Sequence, residues 1–227
     1  MMSSLNALSH EVNEKGYFLM IKTTSDISEI PVFASMWNME GLILMGFCEA
    51  DYEKLRNQMR ISFVVYDGYY LKELGHEKAL CIADNFICMD KERIEGFCKA
   101  FEPGETLRWE IPKTEKERMR FYDDKYTQLL TGNVTAVFAV SDFYAVEFMK
   151  FLQEKNIRIP EDMQIIGFDD NMASRESNPS LTTIHQEAAL RAKTAIECLE
   201  AMRNGKECET EIVLPVDLIK RESTRKL

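Results

Sequence analysis

The sequence has little of the chemistry that metal sites and many active sites require. Its 227 residues contain three histidines and six cysteines, and no two cysteines form a C-x-x-C pair. We therefore expect no metal site, and we interpret the cysteines as small, reduced apolar side chains in preference to disulfides or zinc ligands. The glycine motifs of nucleotide-binding loops and the G-x-S-x-G of hydrolases are also missing, so the sequence predicts no enzyme and no cofactor.

Positive charge is scarce as well. The chain has 28 lysines and arginines against 38 aspartates and glutamates, which gives a formal net charge of −10. Nucleic-acid binding draws most of its affinity from the neutralisation of phosphates, so we expect these residues alone not to bind DNA. No apolar run is long enough to cross a membrane, and the amino terminus lacks the pattern of a signal peptide. These features predict a cytoplasmic location and no membrane partner.

Short apolar segments alternate between strand-like and helix-like spacing along the chain, which predicts an α/β fold with parallel strands. Gly16, Asn156 and Gly205 stand where helices would end in a left-handed residue. The length and the 45% hydrophobic content allow one large domain or two small ones. We predict strands at 17–21, 41–45, 61–65, 79–83, 106–111, 136–140, 163–167, 211–214 and 216–219, and helices at 4–15, 50–59, 90–101, 114–130 and 187–203, with one more capped by Ser141.

The stretch from Val134 to Gln186 carries the most information. Its strand at 163–167 is a short apolar run, and Asp169 and Asp170 stand just past the end of that run. In open α/β sheets, ligands bind beyond the carboxyl ends of parallel strands. We therefore expect these aspartates to lie near a ligand site, at the end of a right-handed strand, helix and strand unit.

The same stretch resembles a known protein family. TAVFAVSD, RIPEDMQIIGFDD and NPSLTTIHQ, followed by LP-x-x-L-I-x-RES, are similar to the effector-binding core of lactose-repressor and purine-repressor transcription regulators. The resemblance implies two doubly wound parallel-sheet lobes, like those of a type I periplasmic binding protein. Residues 1–67 with 186–213 would form the amino-terminal lobe, and 68–185 with 214–227 the carboxyl-terminal lobe. It also implies a homodimer and a small-molecule effector in the cleft between the lobes.

The resemblance points to particular ligand-binding residues. Asp169 and Arg93 match the carboxylate and the arginine with which the family contacts its effectors. A carboxylate accepts hydrogen bonds, whereas a guanidinium donates two at once in a fixed plane, so the pair suits a polar ligand. We predict further ligand contacts from Asp67, Ser141, Phe168 and Gln186.

Structural alternatives stay open for the two aspartates. Asp169 could instead cap the turn at 171–173, and Asp170 could do so equally well. We favour ligand binding for Asp169 and a structural role for Asp170.

Arg93 and Ser141 have alternatives of the same kind. Arg93 could form an ion pair with Asp90 or Glu92, although we favour ligand binding for it. Many members of the family have asparagine where this chain has Ser141, and a hydroxyl lacks the two-sided hydrogen bonding of an amide. Helix capping is therefore the first interpretation of Ser141.

The sequence departs from the family pattern in two places. It begins with the helix that follows the first strand of the family, and it contains no helix-turn-helix headpiece. The family also has a strand and most of a helix between its V-V-x-D and L-G-H motifs. Here residues 67–78 join the two motifs with about the minimum length for a crossover.

These observations favour the effector-binding and dimerisation core of a DNA-binding transcription regulator. It would sense a small polar metabolite, a sugar or nucleoside-like molecule, and would contact DNA only through a headpiece outside this sequence. The alternative is a solute-binding protein of the same fold that serves transport, which would need an export signal. A structural dimer without a ligand would instead have a filled cleft.

Overall fold

A computed structural model describes residues 2–24, 26–37, 39, 41–45, 63–66, 76–84, 88–101, 104–207, 212 and 214–225. Within these residues the helices are α1 (Met2–Glu14), α2 (Glu29–Met36), α3 (Cys88–Phe101), α4 (Glu115–Thr131), α5 (Asp142–Glu154), α6 (Met172–Glu176) and α7 (Ala188–Arg203). The strands are β1 (Leu42–Met45), β2 (Phe63–Tyr66), β3 (Lys78–Ala83), β4 (Glu105–Glu110), β5 (Ala136–Ala139), β6 (Gln164–Phe168), β7 (Thr182–Gln186) and β8 (Val216–Ile219). None of the helices within these ranges is both long and apolar enough to span a membrane.

The chain divides into two compact units. One consists of Met1–Gly68 with Glu187–Leu214, and the other of Tyr69–Gln186 with Pro215–Leu227. In the first unit β1 and β2 pair in parallel, from Leu42 opposite Phe63 to Met45 opposite Tyr66. Helices α1 and α7 pack against each other in that unit.

The second unit contains a six-stranded sheet in the order β4-β3-β5-β6-β7-β8. The first five strands are parallel, and β8 runs antiparallel to β7. The predicted α/β class with a mostly parallel sheet is therefore confirmed. Because parallel strands end at the same edge of a sheet, β3, β5, β6 and β7 bring their carboxyl ends together.

Side chains of this sheet alternate between its two faces, as successive residues of a strand must. Leu80 and Ile82 of β3 pack with the side chains of α4 and α5, among them Tyr122, Phe148 and Leu152. Ala79, Cys81 and Ala83 of the same strand pack with Ile94, Phe97 and Phe101 of α3. The central strand β5 is buried along its whole length, which agrees with its uniformly apolar sequence.

Most of the predicted elements are found within two residues of their predicted bounds. The left-handed helix ends are also confirmed, because φ is +77° at Gly16, +62° at Asn156 and +66° at Gly205. The helix predicted at 50–59 and the connection at 67–75 lie outside the described residues. Of the strand predicted at 211–214, residues 211 and 213 lie outside them too, and Ile212 and Leu214 have no regular secondary structure.

The strand predicted at 17–21 is wrong. These residues have no regular secondary structure, and the Phe18 side chain is almost fully exposed. The alternating pattern of a strand predicts its backbone shape, but a strand also needs a neighbour with which to exchange backbone hydrogen bonds.

Candidate ligand-binding site

Four of the predicted ligand-binding residues meet at the carboxyl edge of the large sheet. Phe168 is the last residue of β6, Asp169 follows it directly, and Gln186 is the last residue of β7. Arg93 reaches the same place from α3. All four belong to the second compact unit, so their arrangement is internal to that unit.

Arg93 is held by contacts on several sides. Its Nη1 donates a hydrogen bond of 2.8 Å to the backbone oxygen of Val140, and its Nη2 lies 3.6 Å from Oδ1 of Asp169. The guanidinium lies 4.2 Å from the centre of the Phe168 ring, so it rests on an aromatic face. The ion pair with Asp90 that we gave as the alternative is also present, at 4.0 Å. Arg93 therefore has both a structural role and a place at the strand ends.

The Arg93 side chain is largely withdrawn from water, with about 10% of its surface exposed. Its Nε is buried and has no hydrogen-bond partner among the described residues. A buried charged group that is held in one orientation loses little freedom on binding a ligand. The guanidinium is thus held in one orientation at the strand ends.

Asp169 has an unusual backbone that turns the chain at the end of β6. Its φ is +112°, a conformation that non-glycine residues rarely adopt. The backbone N–H donates to Ile184 O at 2.9 Å, which keeps the residue beside β7. Its carboxylate accepts a hydrogen bond of 3.1 Å from the Gln186 amide and is about one-third exposed. Backbone strain of this kind is often found at binding sites, where the surrounding structure compensates for it.

The Asp170 carboxylate is engaged by neighbouring side chains, which supports a structural role for this residue. Only 5% of its side chain is exposed, and its carboxylate contacts Arg221 at 2.5 Å, Arg175 at 2.9 Å and His185 Nδ1 at 3.0 Å. Burial alone would raise the pKa of Asp170, but the hydrogen bonds and charges of the two arginines outweigh it and lower the pKa.

The turn after β6 is capped by neither aspartate, so that alternative is wrong. The Asn171 side chain accepts a hydrogen bond of 3.3 Å from the backbone N–H of Ser174 and begins α6. Asparagine has the same side-chain geometry as aspartate at a helix start without its charge.

Ser141 caps α5, in line with our first interpretation. Its Oγ accepts a hydrogen bond from the backbone N–H of Tyr144 at 3.4 Å, and its backbone is extended. The residue follows Val140, whose oxygen binds Arg93, so Ser141 lies beside the cluster while its hydroxyl is engaged in the helix.

Phe168, predicted as a ligand contact, lies in the core of the second unit. Its ring is only 1% exposed and belongs to the core that α3 covers. The Arg93 guanidinium rests on the face of this ring, so Phe168 contacts the cluster through that side chain. The sixth residue, Asp67, lies outside the described residues.

Asp142 is a buried carboxyl group that the sequence analysis did not single out. It is fully buried at the first position of α5. Its Oδ2 accepts a hydrogen bond of 2.8 Å from the backbone N–H of Asn171, and its Oδ1 accepts one of 2.5 Å from the Thr183 hydroxyl. Burial raises the pKa of Asp142 to about 7, and the nearby charge of Asp169 adds to that increase. The carboxyl joins α5, β7 and the loop that carries Asp169.

A cavity of about 410 Å³ lies at the opposite, amino-terminal edge of the same sheet. Its lining includes His76, Thr135, Asp162, Gln164 and Arg225, and none of the predicted ligand-binding residues that the structure describes. Much of its polar lining is already engaged, because Asp162 binds Arg158, and Gln164 accepts from the Arg225 backbone. The convergence of fixed polar groups therefore favours the carboxyl edge as the ligand site. Within the described residues, no group of three His, Cys, Asp or Glu side chains could hold a metal ion.

Most of the chain is similar in sequence to known proteins. Residues 69–224 match the family described as periplasmic binding protein-like domain, a range that includes the whole Arg93 cluster. Among curated proteins, the HTH-type transcriptional repressor PurR of Vibrio cholerae is 32% identical over 164 residues. That alignment covers 70% of this chain and 48% of PurR, so the chain spans about half the length of this relative.

Solved structures show the same fold. A periplasmic binding protein/LacI transcriptional regulator from Alkaliphilus metalliredigens, complexed with D-xylulofuranose, superposes with a TM-score of 0.77 at 22% identity. The match covers 99% of this chain and 94% of that one. A dimeric Lac repressor with an 11-residue C-terminal deletion gives a TM-score of 0.80 at 18% identity, again with 99% and 94% of the two chains covered.

Proposed function

The chain belongs to the periplasmic binding protein-like domain family, in its lactose- and purine-repressor (LacI/GalR) type, and from this premise we propose that it is the effector-binding and dimerisation core of a transcription regulator. The observation that carries the proposal is the Arg93, Asp169 and Gln186 cluster at the carboxyl ends of the strands. In parallel α/β sheets this edge is where ligands bind. The cluster holds hydrogen-bond donors and acceptors in fixed positions, which is what recognition of a polar ligand needs.

The proposed ligand is a small polar metabolite, a sugar or a nucleoside-like molecule. Asp169 can accept hydrogen bonds from two hydroxyl groups, while Arg93 and Gln186 can donate to ring or hydroxyl oxygens. Without a ligand these side chains partly satisfy one another, since Gln186 donates to Asp169 at 3.1 Å and Arg93 lies 3.6 Å from it. Neighbouring hydroxyls of a sugar would take over these contacts. The D-xylulofuranose complex of the structural neighbour supports this ligand class.

In this proposal the regulator acts from the cytoplasm as a homodimer. The dimeric form of the Lac repressor neighbour and the HTH-type repressor among the relatives support it. The 227 residues of the chain carry a formal net charge of −10, so the proposal assigns DNA contact to a headpiece outside this sequence. The effector would favour one of two conformations of the dimer and so change how the headpieces fit an operator.

A ligand screen with a matched pair of variants tests the proposal. Thermal unfolding of the chain is followed with pentoses, hexoses, disaccharides, nucleosides and free purines, because a ligand at 100 times its Kd stabilises the folded protein by about 2.7 kcal/mol. We expect one chemical class to stabilise the wild type and to lose most of that effect in Asp169→Asn. Asp162→Asn, at the opposite edge of the sheet, should be stabilised by the ligand as the wild type is.

Two results would contradict the proposal. One is that no compound of the panel stabilises the wild type. The other is that the stabilisation persists unchanged in Asp169→Asn, which would place the ligand site elsewhere in the molecule.

A further inference from the structure

A second polar cluster lies under α3, away from the carboxyl edge of the sheet. Cys81 of β3 pairs in register with Arg108 of β4, so both side chains are on the face that α3 covers. Thr106 is two residues before Arg108 and shares that face. Cys98 of α3 packs against the apolar cluster that contains the fully buried Cys81.

The Cys98 sulfur is surrounded by groups that can donate hydrogen bonds. Arg108 Nη2 donates to it at 3.6 Å, and the Thr106 hydroxyl lies 3.4 Å from it. The Cys81 thiol is a third neighbour and interacts with the same sulfur. Cys98 itself is only partly buried, whereas Cys81 has no exposed surface.

These neighbours favour a negative charge on one sulfur of the pair. The hydrogen bond from Cys81 lowers the pKa of the Cys98 thiol most; burial opposes that effect, and Thr106 and Arg108 lower the pKa further, to about 5. The pKa of the Cys81 thiol moves the other way, well above its usual value, because of its interaction with Cys98 and its burial. Arg108 and Thr106 therefore favour the thiolate form of the partly exposed Cys98, which packs beside the fully buried Cys81.

We propose that Cys98 and Cys81 form an oxidation site for hydroperoxides, with Cys98 as the attacking sulfur and Cys81 as the resolving thiol. In the first step the Cys98 thiolate attacks one peroxide oxygen, the O–O bond breaks, hydroxide leaves and Cys98 becomes a sulfenic acid. In the second step Cys81 attacks that sulfur and loses its proton, a disulfide forms and water leaves. Overall two thiols are oxidised by two electrons, and hydrogen peroxide is reduced to two waters.

The site differs from an ordinary pair of core cysteines in its reactivity at low pH. At pH 6 a thiol with a pKa of about 8.5 is only about 0.3% thiolate, whereas one with a pKa near 5 is about 90% thiolate. The alkylation rate at pH 6, expressed as a fraction of its plateau at high pH, should therefore be about 300-fold higher for Cys98 than for an ordinary cysteine. This ratio does not depend on how accessible the sulfur is.

The first experiment measures alkylation of each cysteine in the intact chain by iodoacetamide from pH 4 to pH 9, with mass spectrometry of the peptides. We expect a midpoint near pH 5 for Cys98 in the wild type. Arg108→Gln, on an exposed edge strand, should raise this midpoint, and Cys198→Ala should leave it unchanged. A Cys98 midpoint above about pH 8 in the wild type would overturn the proposal.

The second experiment treats the wild type and Cys81→Ala with hydrogen peroxide. The wild type should lose about two mass units and give a peptide that joins Cys81 and Cys98. Cys81→Ala also removes the neighbour that lowers the Cys98 pKa most, so this variant should react more slowly below pH 8. At pH 8 and above it should stop at a sulfenic acid on Cys98 that dimedone captures. If the oxidised wild type contains no such disulfide, the proposal is overturned, whatever the alkylation profile shows.

Discussion

The carboxyl group of Asp142 fills the space in which a side chain at Gly167 would begin. A Cβ at Gly167 would lie 2.3 Å from Oδ1 of Asp142 and 2.8 Å from the Leu181 side chain. The glycine in the IIGFDD segment is therefore explained by packing, since β6 must pass closely beside the first residue of α5.

We predict that Gly167→Ala lowers the free energy of unfolding by about 1–3 kcal/mol, the usual range for overpacking a core. Urea unfolding followed by circular dichroism measures this change. In the double variant with Asp142→Ala, part of the clash disappears, so the two changes together should cost less than their separate effects combined. Additive costs would show that the two residues do not share the space.

The raised pKa of Asp142 predicts a specific dependence of stability on pH. Its folded-state pKa of about 7 exceeds the ordinary value of 3.8, so the unfolded chain releases the proton first as the pH rises. This group therefore costs stability progressively between about pH 4 and pH 7, with a slope of up to about 1.4 kcal/mol per pH unit.

Comparison with Asp142→Asn isolates this effect, because all other titrating groups are shared. We expect the unfolding free energy of the wild type minus that of the variant to fall between pH 5 and pH 7 and to level off above pH 8. Urea unfolding of both proteins at half-unit pH intervals gives the difference. A constant difference across this range would mean that the carboxyl titrates normally.

The adjacent aspartates should respond to the same substitution to very different extents. Asp170→Asn leaves Arg221 and Arg175 without the carboxylate that both contact, and we expect a loss of about 2–4 kcal/mol in unfolding free energy. Asp169→Asn should change it by less than about 1 kcal/mol, because that carboxylate is one-third exposed and asparagine tolerates positive φ. Equal losses in the two variants, measured at pH 7, would contradict this division of roles.

The sequence was sufficient to predict features that depend on one segment. Asn156 and Gly205 end their helices as predicted, because a left-handed cap is a local property of the backbone. The position of Asp169 just past a strand end also follows from the short apolar run at 163–167. The strand that ends at Gln186 was not predicted.

Features that need several segments to meet were not predictable in this way. The burial of Asp142 arises only when Thr183 and the loop at Asn171 come together around it. The placement of Phe168 in the core follows from which face of β6 it occupies, and a motif does not state that. For residues 17–21, the local pattern indicates a strand but contains no information about a partner strand.

The planar guanidinium of Arg93 makes contacts that no other cationic side chain could make together. Its two terminal nitrogens reach different partners, Val140 O at 2.8 Å and Asp169 at 3.6 Å, while the plane rests on Phe168. Lysine keeps the charge but has a single ammonium group, so it cannot make these contacts together. Arg93→Lys should therefore weaken binding of whichever screened compound stabilises the wild type by about 10- to 150-fold, which corresponds to about 1.5–3 kcal/mol. Isothermal titration calorimetry measures the affinity.

Arg175→Lys is the matched control, because Arg175 is exposed and contacts Asp170 instead. This variant should bind that compound as the wild type does. If both variants bind like the wild type, Arg93 supports the fold alone and the ligand contacts lie elsewhere.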